Sequence, residues 1–425
     1  MGMSATTGSA QLRSRAARPS SAPTLAFDDL LDDRATRVIV CCGSGGVGKT
    51  TSTAALALRA AERGRRVAVM TIDPARRLAQ SLGLQELDNS PRAVVGVGSD
   101  GGSLDAMMLD MKRTFDEVVQ AHATPEKAEQ ILANPFYIAL SSSFAGTQEY
   151  MAMEKLWQLH AERGPDGAPR WDLIVVDTPP SRSALDFLDA PERLGSFLDG
   201  RFIRLLLAPA KVGGRAYFKV VSKSMGVARG ALARILGTQL LDDVQTLVSA
   251  LDTMFGGFRE RAEHTYALLQ QPGTAFVVVA SPERDAMREA GYFVERLRAD
   301  AMPLAGVVVN RMVVTPLPQL EAAEAERLAE RLAEQLADAG EDAGRDSADA
   351  VSGDEARSLL PGLLALHADA ARTAVRHREA ARRFADRHPG VPLVEVPLAA
   401  VDVHDVAGLR TIGAALAGVA SDVEA

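Results

Sequence analysis

The chain has 425 residues, 47% of them hydrophobic, enough to bury a sizeable core and more than one compact domain ordinarily holds. Its 47 basic and 55 acidic side chains leave a net charge of −8, which argues against general binding of nucleic acid. The only cysteines, Cys41 and Cys42, are adjacent, which excludes a disulfide framework and a CxxC metal site and points to a reducing, cytoplasmic setting.

In chain order, residues 1–34 read as a disordered N-terminal tail. Residues 1–24 are rich in Ser, Ala, Thr, Arg and Pro, have no acid before Asp28, and lack the apolar stretch of a secretory signal, with an organellar transit peptide as the alternative. Short apolar runs follow at 37–42, 66–71, 104–109, 172–177, 274–280, 305–310 and 392–396. Their continuous apolarity predicts strands buried on both faces. Helical stretches lie between many of them, as at 49–64, which ends at Gly64 with charge in its last turn. Strand alternating with helix predicts an α/β fold, a mainly parallel sheet flanked by helices.

Two intervals break that rhythm, 111–170 and 192–272, and together predict an inserted α-helical subdomain. Residues 35–110, 171–191 and 273–420 then form the sheet domain. The acidic stretch 338–356 predicts a mobile linker between two helices. No apolar run approaches the ~20 residues needed to span a bilayer.

The segment "GSGGVGKT" at 43–50 fits both the dinucleotide pattern G-x-G-x-x-G and the phosphate-loop pattern G-x-x-x-x-G-K-T. Lys49 and Thr50 decide for the second, since a phosphate loop needs a lysine for the terminal phosphates and a hydroxyl for Mg²⁺ directly after its last glycine. Such a site also needs a carboxylate at a strand end near the metal, and "WDLIVVDTPP" supplies Asp177. The alternative for Asp177 is a cap on the turn at Pro179 and Pro180. Asp73, in "TIDPARR", either holds the attacking water or caps the helix that follows.

These motifs resemble the arsenical-pump ATPases and the related ATPases that target tail-anchored membrane proteins. The likeness rests on "GSGGVGKTT", "TIDPARRLAQSLG", "VVDTPPSRSALDFLDAP", "FAGTQEYMAMEKL" and "VVVNRM", and it spans roughly residues 36–416. It implies a P-loop ATPase fold that binds ATP and Mg²⁺. Gly45, Gly46, Val47, Gly48, Lys49, Thr50 and Thr51 would form the phosphate site, with Lys49 and Asp73 catalytic. Thr50 and Asp177 would serve the metal, and Asn310 would contact adenine, with a strand-ending turn as the other reading of that residue. No guanine-selecting N-K-x-D follows, since the chain reads "NRMV" there, so ATP is expected over GTP.

The chain departs from that family in three ways. Ser44 stands where the family carries a second lysine that reaches across a dimer, and a neutral hydroxyl cannot supply its charge. Arg76, Arg77, Arg182 or a partner's P-loop would then have to serve. The cysteines that bind zinc or trivalent arsenic are missing, which argues against arsenite transport. Only one P-loop is present, so the resemblance implies a half-size member acting as a homodimer or as a heterodimer with a paralogous subunit.

Apolar residues recur at helical spacing from Leu232 to Phe258, either buried among the inserted helices or forming a groove for a client's hydrophobic helix. The basic amphipathic stretch 217–236 is either a solvated face or a peripheral membrane contact. The stretch 321–340 predicts a solvated helix packing one leucine seam onto the sheet. The resulting expectation is an ATPase that captures and releases a hydrophobic or membrane-associated client. Its rivals are a nucleotide-sensing regulatory subunit and a positioning or maturation ATPase of the same superfamily.

Overall fold

Five consecutive buried residues, Val38–Cys42, form β1, the strand around which the sheet is built. In this computed structural model the described residues are 23–73, 77–98, 101–135, 137, 138, 141, 147–179, 260–342 and 351–419. The other strands are β2 (Arg66–Thr71), β3 (Arg92–Ala93), β4 (Ser103–Met108), β5 (Leu173–Asp177), β6 (Thr274–Ala280), β7 (Leu304–Met312) and β8 (Leu393–Pro397). They make one sheet of eight strands in the order β3-β4-β2-β5-β1-β6-β7-β8. All neighbours are parallel except β3, a two-residue exposed strand antiparallel to β4 that the sequence pattern did not predict. The α/β class read from the sequence is the class found.

Helices cover both faces, as a parallel sheet requires. Alternate residues of β1 explain why: Ile39 and Cys41 join one apolar cluster, and Val38, Val40 and Cys42 join the other. The first cluster holds α1 (Phe27–Asp32), α2 (Lys49–Glu62), α3 (Arg77–Ser81) and the late helix α10 (Val406–Leu416). The second takes up α4 (Met111–His122), α5 (Pro125–Leu132), α6 (Thr147–Ala161) and α7 (Arg284–Ala299). A hairpin of α8 (Ala322–Asp342) and α9 (Val351–Arg387) leads to β8.

Three expectations need correction. The predicted tail of 1–34 is ordered from Pro23 onward: Phe27 and Leu31 are fully buried, and Thr24 pairs with Leu393. The cause lies in distant arginines. Arg59 makes two hydrogen bonds to Asp28, at 2.6 and 2.7 Å, and Arg63 pairs with Asp32. Arg65, with 1% of its side chain exposed, donates to the carbonyls of Leu31, Asp33, Thr36 and Asp172 and to the Asp172 carboxylate. One buried guanidinium thereby satisfies the backbone of the segment that enters β1.

The second correction concerns residues 111–161, predicted as part of an inserted subdomain. Phe115, Val118, Ile131, Met151 and Leu156 share one buried cluster with Val40, Met70 and Val176 of the strands. These helices are therefore a layer of the sheet domain. Residues 260–270 are also helical, with Leu269 in the same cluster, while the predicted client stripe at 232–258 lies outside the described residues. Third, the flanks of the predicted acidic linker, 338–342 and 351–356, belong to α8 and α9. Residues 343–350 lie outside the described set.

Replacing Arg65 with Ala strands buried carbonyls and the Asp172 carboxylate, and should cost about 3–5 kcal/mol in a urea unfolding titration. Arg59→Ala, on a partly exposed pair, should cost about 1 kcal/mol or less.

Candidate functional site

The carboxyl ends of β5, β1 and β2 converge where the chain turns from β1 into α2, the position at which open α/β sheets bind ligands. The turn needs glycine at two points. A Cβ at Gly43 (φ 148°) would lie 2.0 Å from the Val279 carbonyl oxygen, and one at Gly48 (φ 93°) would lie 2.2 Å from Asn310 Nδ2. Between them Gly46 also has a positive φ of 75°. The loop therefore lies flush on the ends of β6 and β7. It delivers the chain to α2, whose first-turn N–H groups and dipole favour an anion.

Lys49, only 6% exposed, folds back so that Nζ donates to the Ser44 carbonyl at 2.8 Å. Burial holds its pKa below the usual lysine value, and the nearby Asp177 carboxylate opposes that shift. Thr50 Oγ1 donates to Asp177 Oδ2 at 2.7 Å, and Thr71 Oγ1 donates to the same oxygen at 3.0 Å. Asp177 is fully buried, and its other oxygen, Oδ1, has no hydrogen-bond partner. Burial pushes the Asp177 pKa up to about 6, against the two hydroxyls and Lys49, which lower it.

Asp73 follows β2 and is half-buried, and its N–H donates to Thr71 Oγ1 at 3.2 Å. Thr71 thus joins the two aspartates, although sequence reading passed over it; a threonine ending the strand before an Asp-Pro was the available signal. Thr178, whose Oγ1 donates to the Cys41 carbonyl at 2.9 Å, was also missed. Asn310 lies two residues before the end of β7, with Nδ2 donating to the Val47 carbonyl at 2.8 Å and Oδ1 accepting from the Arg311 N–H at 2.9 Å. Its side chain braces the phosphate loop. Of the arginines considered as substitutes for the missing lysine, Arg77 begins α3 and is exposed, while Arg76 and Arg182 lie outside the described residues.

Both cysteines are buried in β1, and burial pushes the Cys41 thiol up to about 12 and Cys42 higher still. Neither is a thiolate at neutral pH, the form that metals and arsenic bind. Among the described residues no group of three or more His, Cys, Asp or Glu could hold a metal ion by itself. A magnesium ion fits differently, through few protein oxygens and the substrate's phosphates. The unpaired Asp177 Oδ1 and the Thr50 hydroxyl, which gives its hydrogen to Oδ2, are hard oxygen donors of that kind.

A central parallel strand emptying into G-x-x-x-x-G-K-T, with a buried aspartate of the next strand bonded to the loop's threonine, defines a P-loop nucleoside triphosphatase. Residues 36–339 match the family model described as anion-transporting ATPase. The chain belongs to that family of ATPases. It is 25% identical over 308 residues to the ATPase ARSA1 of Chlamydomonas reinhardtii, covering 68% of this chain and 36% of that protein. It is 26% identical over 295 residues to the ATPase GET3 of Podospora anserina, covering 68% of this chain and 77% of the relative. An ATPase ASNA1 homolog of Cryptosporidium parvum is 25% identical over 272 residues, 64% of each chain. The chain thus spans about a third of ARSA1 and most of GET3.

The Asp177 shift sets a pH dependence. An unfolded aspartate ionises near 3.8, so below that value neither state carries the charge and burial costs nothing. Stability is lost as pH rises through about 6, where the buried group ionises. Asp177→Asn should therefore stabilise the nucleotide-free protein at pH 8 relative to pH 4, compared with wild type, by about 2 kcal/mol in chemical denaturation. An identical pH profile for both proteins would refute this.

Proposed function

We propose that the protein is a Mg²⁺-dependent ATPase that works as a dimer and couples its nucleotide state to binding and release of a hydrophobic or membrane-associated client. The observation that carries this reading is the Thr50–Asp177 hydrogen bond with Oδ1 left bare, on a carboxylate that the charge of Lys49 reaches. Thr50 and Asp177 would hold Mg²⁺, which when bound supplies charge stabilisation to the phosphates. Lys49 and the N–H groups from Gly45 to Thr51 bind and orient the triphosphate.

Asp73 orients the attacking water and takes its proton. Its tie to Thr71, and so to Asp177, lets the nucleotide end of the site act on the segment that follows Asp73. Asn310 keeps one Nδ2 hydrogen beyond the Val47 bond for an acceptor on the adenine ring. The family resemblance supports the client and the dimer. The cysteines and their raised pKa values weigh against arsenite as a ligand.

Ser44 favours a second reading, a nucleotide-sensing subunit whose paralogous partner brings the missing lysine. It is neutral and only 8% exposed, so it brings no cation across an interface.

Steady-state ATP hydrolysis with and without Mg²⁺ tests the main reading. Lys49→Ala should abolish binding of a fluorescent ATP analogue, while Asp73→Asn should bind it normally and hydrolyse ATP about a hundredfold or more slowly. Full hydrolysis by Asp73→Asn would remove its assigned role. Titration with a soluble hydrophobic-helix peptide should change the rate, and arsenite should not. A rate that stays near zero until a paralogous subunit is added would move the choice to the second reading.

A further inference from the structure

The carboxyl end of β7 is irregular where it meets the phosphate loop. Val309 faces Glu395 and Met312 faces Pro397, so three steps along β7 are matched by two along β8. The surplus residue makes a bulge, a device that re-aims a side chain. Here the bulge contains Asn310, whose amide braces Val47, and Arg311, an exposed residue at φ 62°. A left-handed conformation is unfavourable for arginine and persists only where its surroundings over-determine it.

Three hydrogen bonds supply that determination. The Arg311 N–H donates to Asn310 Oδ1, the Leu398 N–H donates to the Met312 carbonyl at 2.9 Å, and the Val313 N–H donates to Nδ1 of His377 at 3.2 Å. The last comes from a different element, α9, beyond the residues that match the family model. Accepting at Nδ1 requires a neutral ring with its proton on Nε2. Desolvation, the leading influence on His377, lowers its pKa and favours that form.

We propose that His377 is a positioning residue for nucleotide binding. By accepting from Val313 it pins the bulge, so that Asn310 stays on the Val47 carbonyl and the phosphate loop is preorganised. The α8–α9 hairpin is thereby connected mechanically to the loop. The inference rests on the nucleotide reading of that loop, but its physical core, a brace running from His377 to Val47, is measurable without nucleotide.

The test uses the full chain with His377→Ala, His377→Asn and His377→Gln. An Asn amide can place an acceptor where Nδ1 sits, and a Gln amide places it where Nε2 sits. In His377→Ala, hydrogen exchange without nucleotide should quicken in peptides covering 43–51 and 308–314, and the KM for ATP should rise about tenfold while kcat changes less than about twofold. Asn should restore both readouts and Gln neither. Combining His377→Ala with Asn310→Ala should be no worse than Asn310→Ala alone, because the two act in series. Unchanged exchange in 43–51 for a folded His377→Ala, or full additivity in the double variant, would overturn the proposal. Absent ATP binding in wild type would count against the ATPase reading, while the exchange data would still judge the brace.

Discussion

A carboxylate with no exposure to water, Asp177, stands at the end of β5 between Cys41 of β1 and Thr71 of β2. Keeping an ionisable group there is costly unless it is paired and hydrogen-bonded. Thr50, Thr71 and Lys49 compensate only in part, as the raised pKa records. The remaining deficit makes the site receptive to a cation and gives the loop, the strand ends and the segment at Asp73 a shared electrostatic centre. The glycines matter because they let the loop lie directly against Val279 and Asn310.

The two ends of the sheet solve opposite problems. At the amino ends, Arg65 satisfies four carbonyls and a carboxylate. At the carboxyl ends, the buried oxygen of Asp177 stays unpaired. Hydrogen-bonding capacity is thus concentrated on one side, where a ligand can use it. The same β2 strand joins both: Arg65 lies immediately before its first residue, and Thr71 is its last.

Local information made much of this legible in the sequence. Strands buried on both faces read as unbroken apolar runs, and a phosphate loop is eight consecutive residues, so neither needs tertiary context. Asp177 was recognisable because it closes such a run. What escaped depends on separation in the chain. Thr71 meets Asp177 across 106 positions and Asn310 meets Val47 across 263, and neither pairing leaves a periodic trace. The helix Phe27–Asp32 reads as tail because it is only six residues long and the partners of its Asp28 and Asp32, Arg59 and Arg63, lie 31 positions away. The helices at 111–161 read as part of an inserted subdomain because a period of 3.6 reveals an apolar face but not the surface that covers it.

The tandem cysteines of β1 have a practical consequence. Both thiols are buried in a central strand and held in the protonated form, so a maleimide or other thiol-directed probe meets a background close to that of a cysteine-free protein. A single cysteine placed on the surface could carry a fluorophore or spin label with no need to remove the native pair. Movements between the loop, the strand ends and the long hairpin could then be followed spectroscopically in the otherwise unaltered chain.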